Sequence, residues 1–170
     1  KKLWVGTDEG VFIFDPLTEL FTFFNDTVPD GNIIHNWVAD IQQDTFGNIW
    51  IVAPGQGLFR YQSDEKTLHN YRFASNQPPN EGKPQSICIE KNGKVWIGTN
   101  GDGVFLYDRN SVSFSHIPVN SNTGSLSGEH IYTMCDYGDE LVLGIHEGKL
   151  EKFHKLKNTL SDVNAPAVHY

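Results

Sequence analysis

The chain has 170 residues, 38% hydrophobic and 20% charged, which fits a folded domain with a real core and excludes a disordered tail or a fibre. Against 13 Lys and Arg stand 21 Asp and Glu, a net charge of −8, so the basic footprint that nucleic acid or an anionic membrane requires is missing. No apolar run nears the roughly 20 residues of a membrane helix, and Lys1-Lys2-Leu3-Trp4 does not read as a signal peptide.

Aromatic residues reach 12%, beside 16 Gly and 8 Pro, a balance that favours short strands and tight turns over helices. In chain order the elements repeat. Leu3-Trp4-Val5-Gly6 reads as a strand, followed by a turn at Asp8, the alternating strand Gly10-Val11-Phe12-Ile13-Phe14 and the apolar run Leu20-Phe21-Thr22-Phe23-Phe24. The first of these returns as Ile49-Trp50-Ile51-Val52, Val95-Trp96-Ile97-Gly98 and Leu141-Val142-Leu143-Gly144, with second positions at 4, 50, 96 and 142, a spacing of 46 three times over. Ahead of the last three stand the turns Asp44-Thr45-Phe46-Gly47-Asn48, Glu90-Lys91-Asn92-Gly93-Lys94 and Asp136-Tyr137-Gly138-Asp139-Glu140. Behind them come Gly57-Leu58-Phe59-Arg60-Tyr61, Gly103-Val104-Phe105-Leu106-Tyr107 and Lys149-Leu150-Glu151-Lys152-Phe153.

Each repeat thus holds four short strands, A to D; in the second copy they fall at 38–43, 49–52, 58–61 and 68–71. Four antiparallel strands in about 45 residues match a β-propeller blade, whose twisted sheet must stack on another to bury both faces. The expected fold is all-β: about 3.5–4 blades of an incomplete ring, with a partial blade at 1–30, blades at 31–77, 78–123 and 124–160, and the start of another at 161–170. Trp4, Trp50 and Trp96 are expected to fill the gaps between blades, and the fourth unit, with Val142 in that slot, to pack less tightly. The stretch 151–160 reads as a strand end and a Lys-rich loop. Exposed blade faces at a cut ring predict self-association, two copies closing one ring as a homodimer.

The pattern Asp-x-x-Gly-Asn, Ile-Trp-Ile-Gly-Thr, Gly-x-Gly and Leu-x-Arg-Tyr resembles the two-component regulator propeller repeat. It is carried by Asp44-Thr45-Phe46-Gly47-Asn48-Ile49-Trp50, by Val95-Trp96-Ile97-Gly98-Thr99-Asn100-Gly101-Asp102-Gly103, by Gly57-Leu58-Phe59-Arg60-Tyr61, and by Gly124-Ser125-Leu126-Ser127 before strand A. It departs at Val52-Ala53-Pro54 and in the Trp-less fourth unit. The resemblance implies a segment of the periplasmic sensor region of a membrane-anchored hybrid histidine kinase, non-catalytic itself, that binds a glycan-derived oligosaccharide or relays its binding to the remaining blades and a membrane helix. A propeller lyase or glycan-cleaving enzyme, with His130 or His146 as acid–base residue, is one alternative; a dimerisation scaffold is another.

The residues themselves name no catalytic group. GxSxG, HExxH and P-loop motifs are missing, and Gly55-Gln56-Gly57 and Gly101-Asp102-Gly103 read as turns that need positive φ. Asp44-Thr45-Phe46-Gly47-Asn48 lacks the ligand pattern of a calcium loop. Seven histidines show no i, i+4 pair, so neither metal nor cofactor is expected. Cys88 and Cys135 stand too far apart for CxxC, and their apolar surroundings predict two buried thiols.

On a propeller the strand-A starts and B–C turns share one face, and the A–B and C–D turns the other. The first set varies between repeats, as a recognition surface does. It holds His35, Asn36 and Trp37; Lys83 and Gln85; Glu129, His130 and Tyr132; and the turn residues Asp8, Gln56, Asn100, Asp102 and His146. Amide, charged and aromatic groups of this kind suit hydrogen bonding and stacking on a sugar. Trp37 stands outside the repeated Trp slot, which fits a stacking platform on this face and equally a cover over a blade edge.

Overall fold

The computed structural model describes residues 2–25, 34–71, 83–117, 130–157 and 159–163. Within them the alternating apolar runs form four antiparallel sheets. The first contains β1 (Leu3–Thr7), β2 (Gly10–Asp15) and β3 (Leu20–Phe23). The second contains β4 (Asp40–Gln43), β5 (Ile49–Ala53), β6 (Gly57–Gln62) and β7 (Thr67–Tyr71). The third contains β8 (Lys83–Ile89), β9 (Val95–Asn100), β10 (Val104–Asp108) and β11 (Ser113–Ile117). The fourth contains β12 (Ile131–Tyr137), β13 (Glu140–Ile145), β14 (Leu150–His154) and β15 (Thr159–Asp162), with a single 3₁₀ turn at His146–Gly148. Strands neighbour one another in chain order, and the sheets pack in the same order through β1 on β4, β4 on β8 and β8 on β12. These are β-propeller blades stacked in an arc.

Aromatic packing explains why the blades stack at one fixed offset. The indole of Trp4 lies 5.4 Å from the ring of Tyr61, Trp50 5.0 Å from Tyr107, and Trp96 5.7 Å from Phe153. In each case the B strand of one blade meets the C strand of the next, and the three core clusters centre on these contacts. Trp50 and Trp96 are fully buried, whereas Trp4 is only half-buried. Val142 stands at the equivalent place on the fourth sheet and is half-buried. A buried indole N–H needs an acceptor, and the turn six residues upstream supplies it: Trp50 donates to Asp44 at 2.9 Å and Trp96 to Glu90 at 2.5 Å. Asp44 also takes the backbone N–H groups of Phe46 and Asn48, so one carboxylate closes the turn and anchors the indole.

Between the second and third sheets the guanidinium of Arg60 sits 5.7–5.8 Å from the rings of Trp50, Tyr71 and Tyr107 and donates to the Tyr107 hydroxyl at 2.8 Å. Burial, with a hydrogen bond to Tyr107, holds the Tyr71 phenol well above its ordinary range. Polar groups of the inner strands also cross the gap. Gln42 Nε2 donates to the Ile87 carbonyl at 2.7 Å, and the amide of Ile87 donates to Asp40 at 3.1 Å. The repeated Gly before the B–C turn is a matter of space. A Cβ on Gly6 would come within 2.7 Å of Val38 Cγ1, and one on Gly98 within 2.7 Å of Ile131 Cγ2, because the next blade's inner strand begins against that backbone.

Three sequence expectations need correction. The turn before β13 is not the five-residue turn of its neighbours. Residues 44–48 separate the pair Gln43 and Ile49, and residues 90–94 the pair Ile89 and Val95, but only 137–140 separate Asp136 and Leu141, and pairing continues to Tyr137 and Glu140. The missing residue leaves a hairpin turn at Gly138-Asp139, where Gly138 has φ +64°. Asp136 therefore lies inside a strand, and Cys135, opposite Val142, occupies the register place of Cys88, opposite Trp96. Second, Cys135 is exposed and only Cys88 is buried, because Cys88 faces the fourth sheet and Cys135 faces away from the third. Third, the supposed loop after β14 contains the outer strand β15, paired in register at Phe153 with Leu160; its single apolar residue hid it.

Candidate functional site

The strand-A starts and the B–C turns meet at one end of the sheets. Two features of the inner strands shape this rim. β8 skips register between Pro84 and Ser86, and β12 between Ile131 and Thr133, so Gln85 and Tyr132 are the extra residues of two equivalent bulges. A bulge bends its strand and re-aims the side chain it carries; Tyr132 emerges 50% exposed.

The rim residues fall into two groups. At the junction of the first and second sheets the His35 amide donates to Gln56 Oε1, and Gln56 Nε2 lies against His35 Nδ1, both at 3.0 Å. Asn36 and Trp37 follow on the same exposed segment, Trp37 51% exposed, before the amide of Val38 ties it to the Thr7 carbonyl at 2.9 Å. Asp8 is exposed in the turn between β1 and β2.

The second group forms a row across the third and fourth sheets. Lys83 opposes Asn100 in the β8–β9 ladder, and Asn100 makes an isolated bridge with His130. The Asn100 side-chain oxygen contacts His130 Nδ1, and the His130 carbonyl accepts the amide of His146 at 3.3 Å. The imidazole of His146 then lies 5.6 Å from that of His130 and 6.1 Å from the Tyr132 ring. Behind this row Thr99 braces the β9–β10 turn: its hydroxyl donates to the Gly103 carbonyl at 2.9 Å and accepts the Asp102 amide at 3.1 Å. The Asp102 carbonyl faces His116 Nε2 at 2.7 Å, and the His116 ring stacks on Phe105. Sequence reasoning did not place His116 on the rim, although its strand ends there; a polar residue in an alternating strand carries no mark of which turn it will reach.

Lys83, Asn100, His130, Tyr132 and His146 are thus brought together, Gln85 and Asp102 border them, and His35, Asn36 and Trp37 stand apart, at the start of the preceding blade. Glu129 lies outside the described residues. Among the described residues no three His, Cys, Asp or Glu side chains converge as metal ligands. The arrangement presents donors and one aromatic ring on a rigid frame, suited to holding a polar ligand.

The blades and their rim define a β-propeller with a polar face at its strand-A starts. By sequence the chain matches no family model and no curated protein. By structure it is similar to the extracellular domain assigned to the hybrid two-component system BT3049 of B. thetaiotaomicron, with a TM-score of 0.79 and 20% identity over 95% of this chain and 23% of that one. It is likewise similar to the extracellular domain assigned to BT4673 of the same organism, at a TM-score of 0.76 and 18% identity over 99% of this chain and 21% of that one. A virginiamycin B lyase from Staphylococcus aureus shares the fold at a TM-score of 0.69 and 13% identity, over 98% of this chain and 53% of that one. The chain therefore spans under a quarter of the length of the two extracellular domains. Among the described residues no helix is long and apolar enough to cross a membrane.

Proposed function

We propose that this chain is a stretch of the extracytoplasmic sensor region of a two-component signalling protein, of the two-component regulator propeller family. In this reading it is non-catalytic, it lies in the periplasm ahead of a membrane helix and a histidine kinase, and it binds a glycan-derived oligosaccharide or relays its binding. The repeat motifs support the family, and the likeness to the two extracellular domains supports the sensor role. The observation that carries ligand contact is the row from Lys83 to His146, where exposed donors and the Tyr132 ring gather at the strand ends of a rigid scaffold. Binding that favours one of two arrangements of the blades would pass a signal inward by its difference in affinity.

The test is calorimetric titration of the full-length protein with a panel of plant and host oligosaccharides, beside Trp37→Ala and His130→Ala variants. Saturable binding of one class, weakened by either substitution, is the expected result; binding untouched by both would remove the rim from the site. Release of cleaved product in the same samples would favour the enzyme reading instead. On one face of the first sheet Leu3, Val5 and Phe21 are exposed, which supports burial of that face against further blades or a second copy. A homodimer is part of the proposal, and sedimentation velocity showing a monomer at every concentration would remove it.

A further inference from the structure

Among the described residues the row on the third and fourth sheets gathers several donors, in a chain whose net charge is −8. Lys83 is exposed, and among the described residues no carboxylate pairs with it. Directly opposite it stands Asn100. The Asn100 side-chain oxygen lies against His130 Nδ1, and an amide so placed keeps two N–H donors for a further partner. His146 adds a second imidazole, and Tyr132 a ring face beside it. Among the described residues the carboxylates nearest in the chain to the row are Glu147 and Asp102, the latter with an Oδ2 that has no hydrogen-bond partner. Glu147 pairs with Lys149 at 3.3 Å, and Asp102 Oδ2 is buried, its turn held by Thr99.

Lysine, an amide N–H and imidazole around one opening match an anionic oxygen group, and a ring next to them matches the apolar face of a sugar. We infer that this row takes an acidic saccharide: Lys83 and the Asn100 amide hold its carboxylate or sulfate, and Tyr132 stacks against the ring that bears it. The inference rests on the sensor reading and narrows its ligand class from glycans at large to charged ones.

The experiment titrates the full-length protein with tetragalacturonate, with the same tetrasaccharide after reduction of its carboxyls to galactose, and with a sulfated galactose tetrasaccharide, at 50 mM and 300 mM NaCl. The acidic forms should bind about tenfold or more tighter than the reduced one, and more weakly at the higher salt. Lys83→Met should weaken the acidic forms by about tenfold and so remove most of that preference; Lys83 is exposed, and a thermal melt confirms that the variant is folded. Preference for tetragalacturonate assigns a carboxylate, and preference for the sulfated sugar a sulfate. Equal binding of charged and reduced forms would overturn the acidic specificity and leave the sensor reading standing. Saccharide binding by none of the three would overturn this inference, whereas the sensor reading would fall only if the wider oligosaccharide panel also failed.

Discussion

Lys155 Nζ lies 3.4 Å from the Glu90 carboxylate of the preceding blade, with only 6% of the lysine side chain exposed. The same ammonium bonds Asp136 and donates to the Gly138 carbonyl at 2.8 Å. Glu90 holds the Trp96 indole, so one lysine joins the turn under one indole to the blade that has none. Arg109, 46 residues earlier, makes the matching reach to the preceding blade, its guanidinium 3.5 Å from the Phe46 ring centroid. Lys155→Met would leave two acids at a buried junction without their cation, at a cost of roughly 3 kcal/mol. Burial by itself would lower the Lys155 pKa, but Asp136 and Glu90 outweigh it and raise the value above 10.5. A lysine that holds its proton more tightly when folded adds stability that is complete below 10.5 and fades as pH climbs through the raised value. The gap between wild type and Lys155→Met in urea midpoints should thus be full at pH 7 and shrink in strong alkali; a gap that stays constant to the alkaline limit would contradict the clamp.

Gly98 tests how closely the blades approach. An added Cβ would lie 2.5 Å from Ser86 Oγ and 2.7 Å from Ile131 Cγ2. Gly98→Ala should destabilise by about 1–3 kcal/mol through overpacking. Combined with Ile131→Ala, the loss should fall short of the sum of the single losses by more than about 0.5 kcal/mol. Strict additivity would show that the two residues are not in contact.

Asp40 is raised above its ordinary 3.8 by burial, which the amide of Ile87 only partly offsets. The folded chain therefore binds this proton more tightly than the unfolded one, and stability is lost as pH rises from 3.8 through the raised value. Asp40→Asn keeps an oxygen to accept from Ile87 and carries no charge. Its stability relative to wild type should improve from pH 3 to pH 7 and then level off. A pH-independent difference would mean that the carboxylate is not desolvated.

The two thiols should part company toward a chromogenic disulfide reagent at pH 8. Cys135 is exposed, whereas burial among Trp96, Met134 and Leu141 pushes the Cys88 thiol up to about 11 and closes it off. In the 170-residue chain by itself one equivalent should react within minutes and the second only in denaturant, with Cys135→Ser abolishing the fast phase; a further blade stacked on the fourth sheet would cover Cys135 as the fourth covers Cys88. Fast reaction at Cys88 would mean that the third and fourth sheets do not pack as described.

The amino-acid sequence by itself determined the repeating unit. An indole at positions 4, 50 and 96 within alternating apolar runs dictates a four-stranded sheet with one face that only another copy can cover, since side-chain alternation and turn chemistry act over a few residues. The polar end of the stack was legible too, because strand-A starts and B–C turns must share a face once the strands run antiparallel. What lay beyond reach depends on register. One residue lost between Asp136 and Leu141 keeps the 46-residue spacing of the B strands yet slides the inner strand by one place, which exposes Cys135 and frees Asp136 for Lys155. The bulges at Gln85 and Tyr132 and the meeting of Lys83, Asn100, His130 and His146 were decided the same way. They join residues of two blades, and only the packing of one sheet on another sets which side chains come within reach.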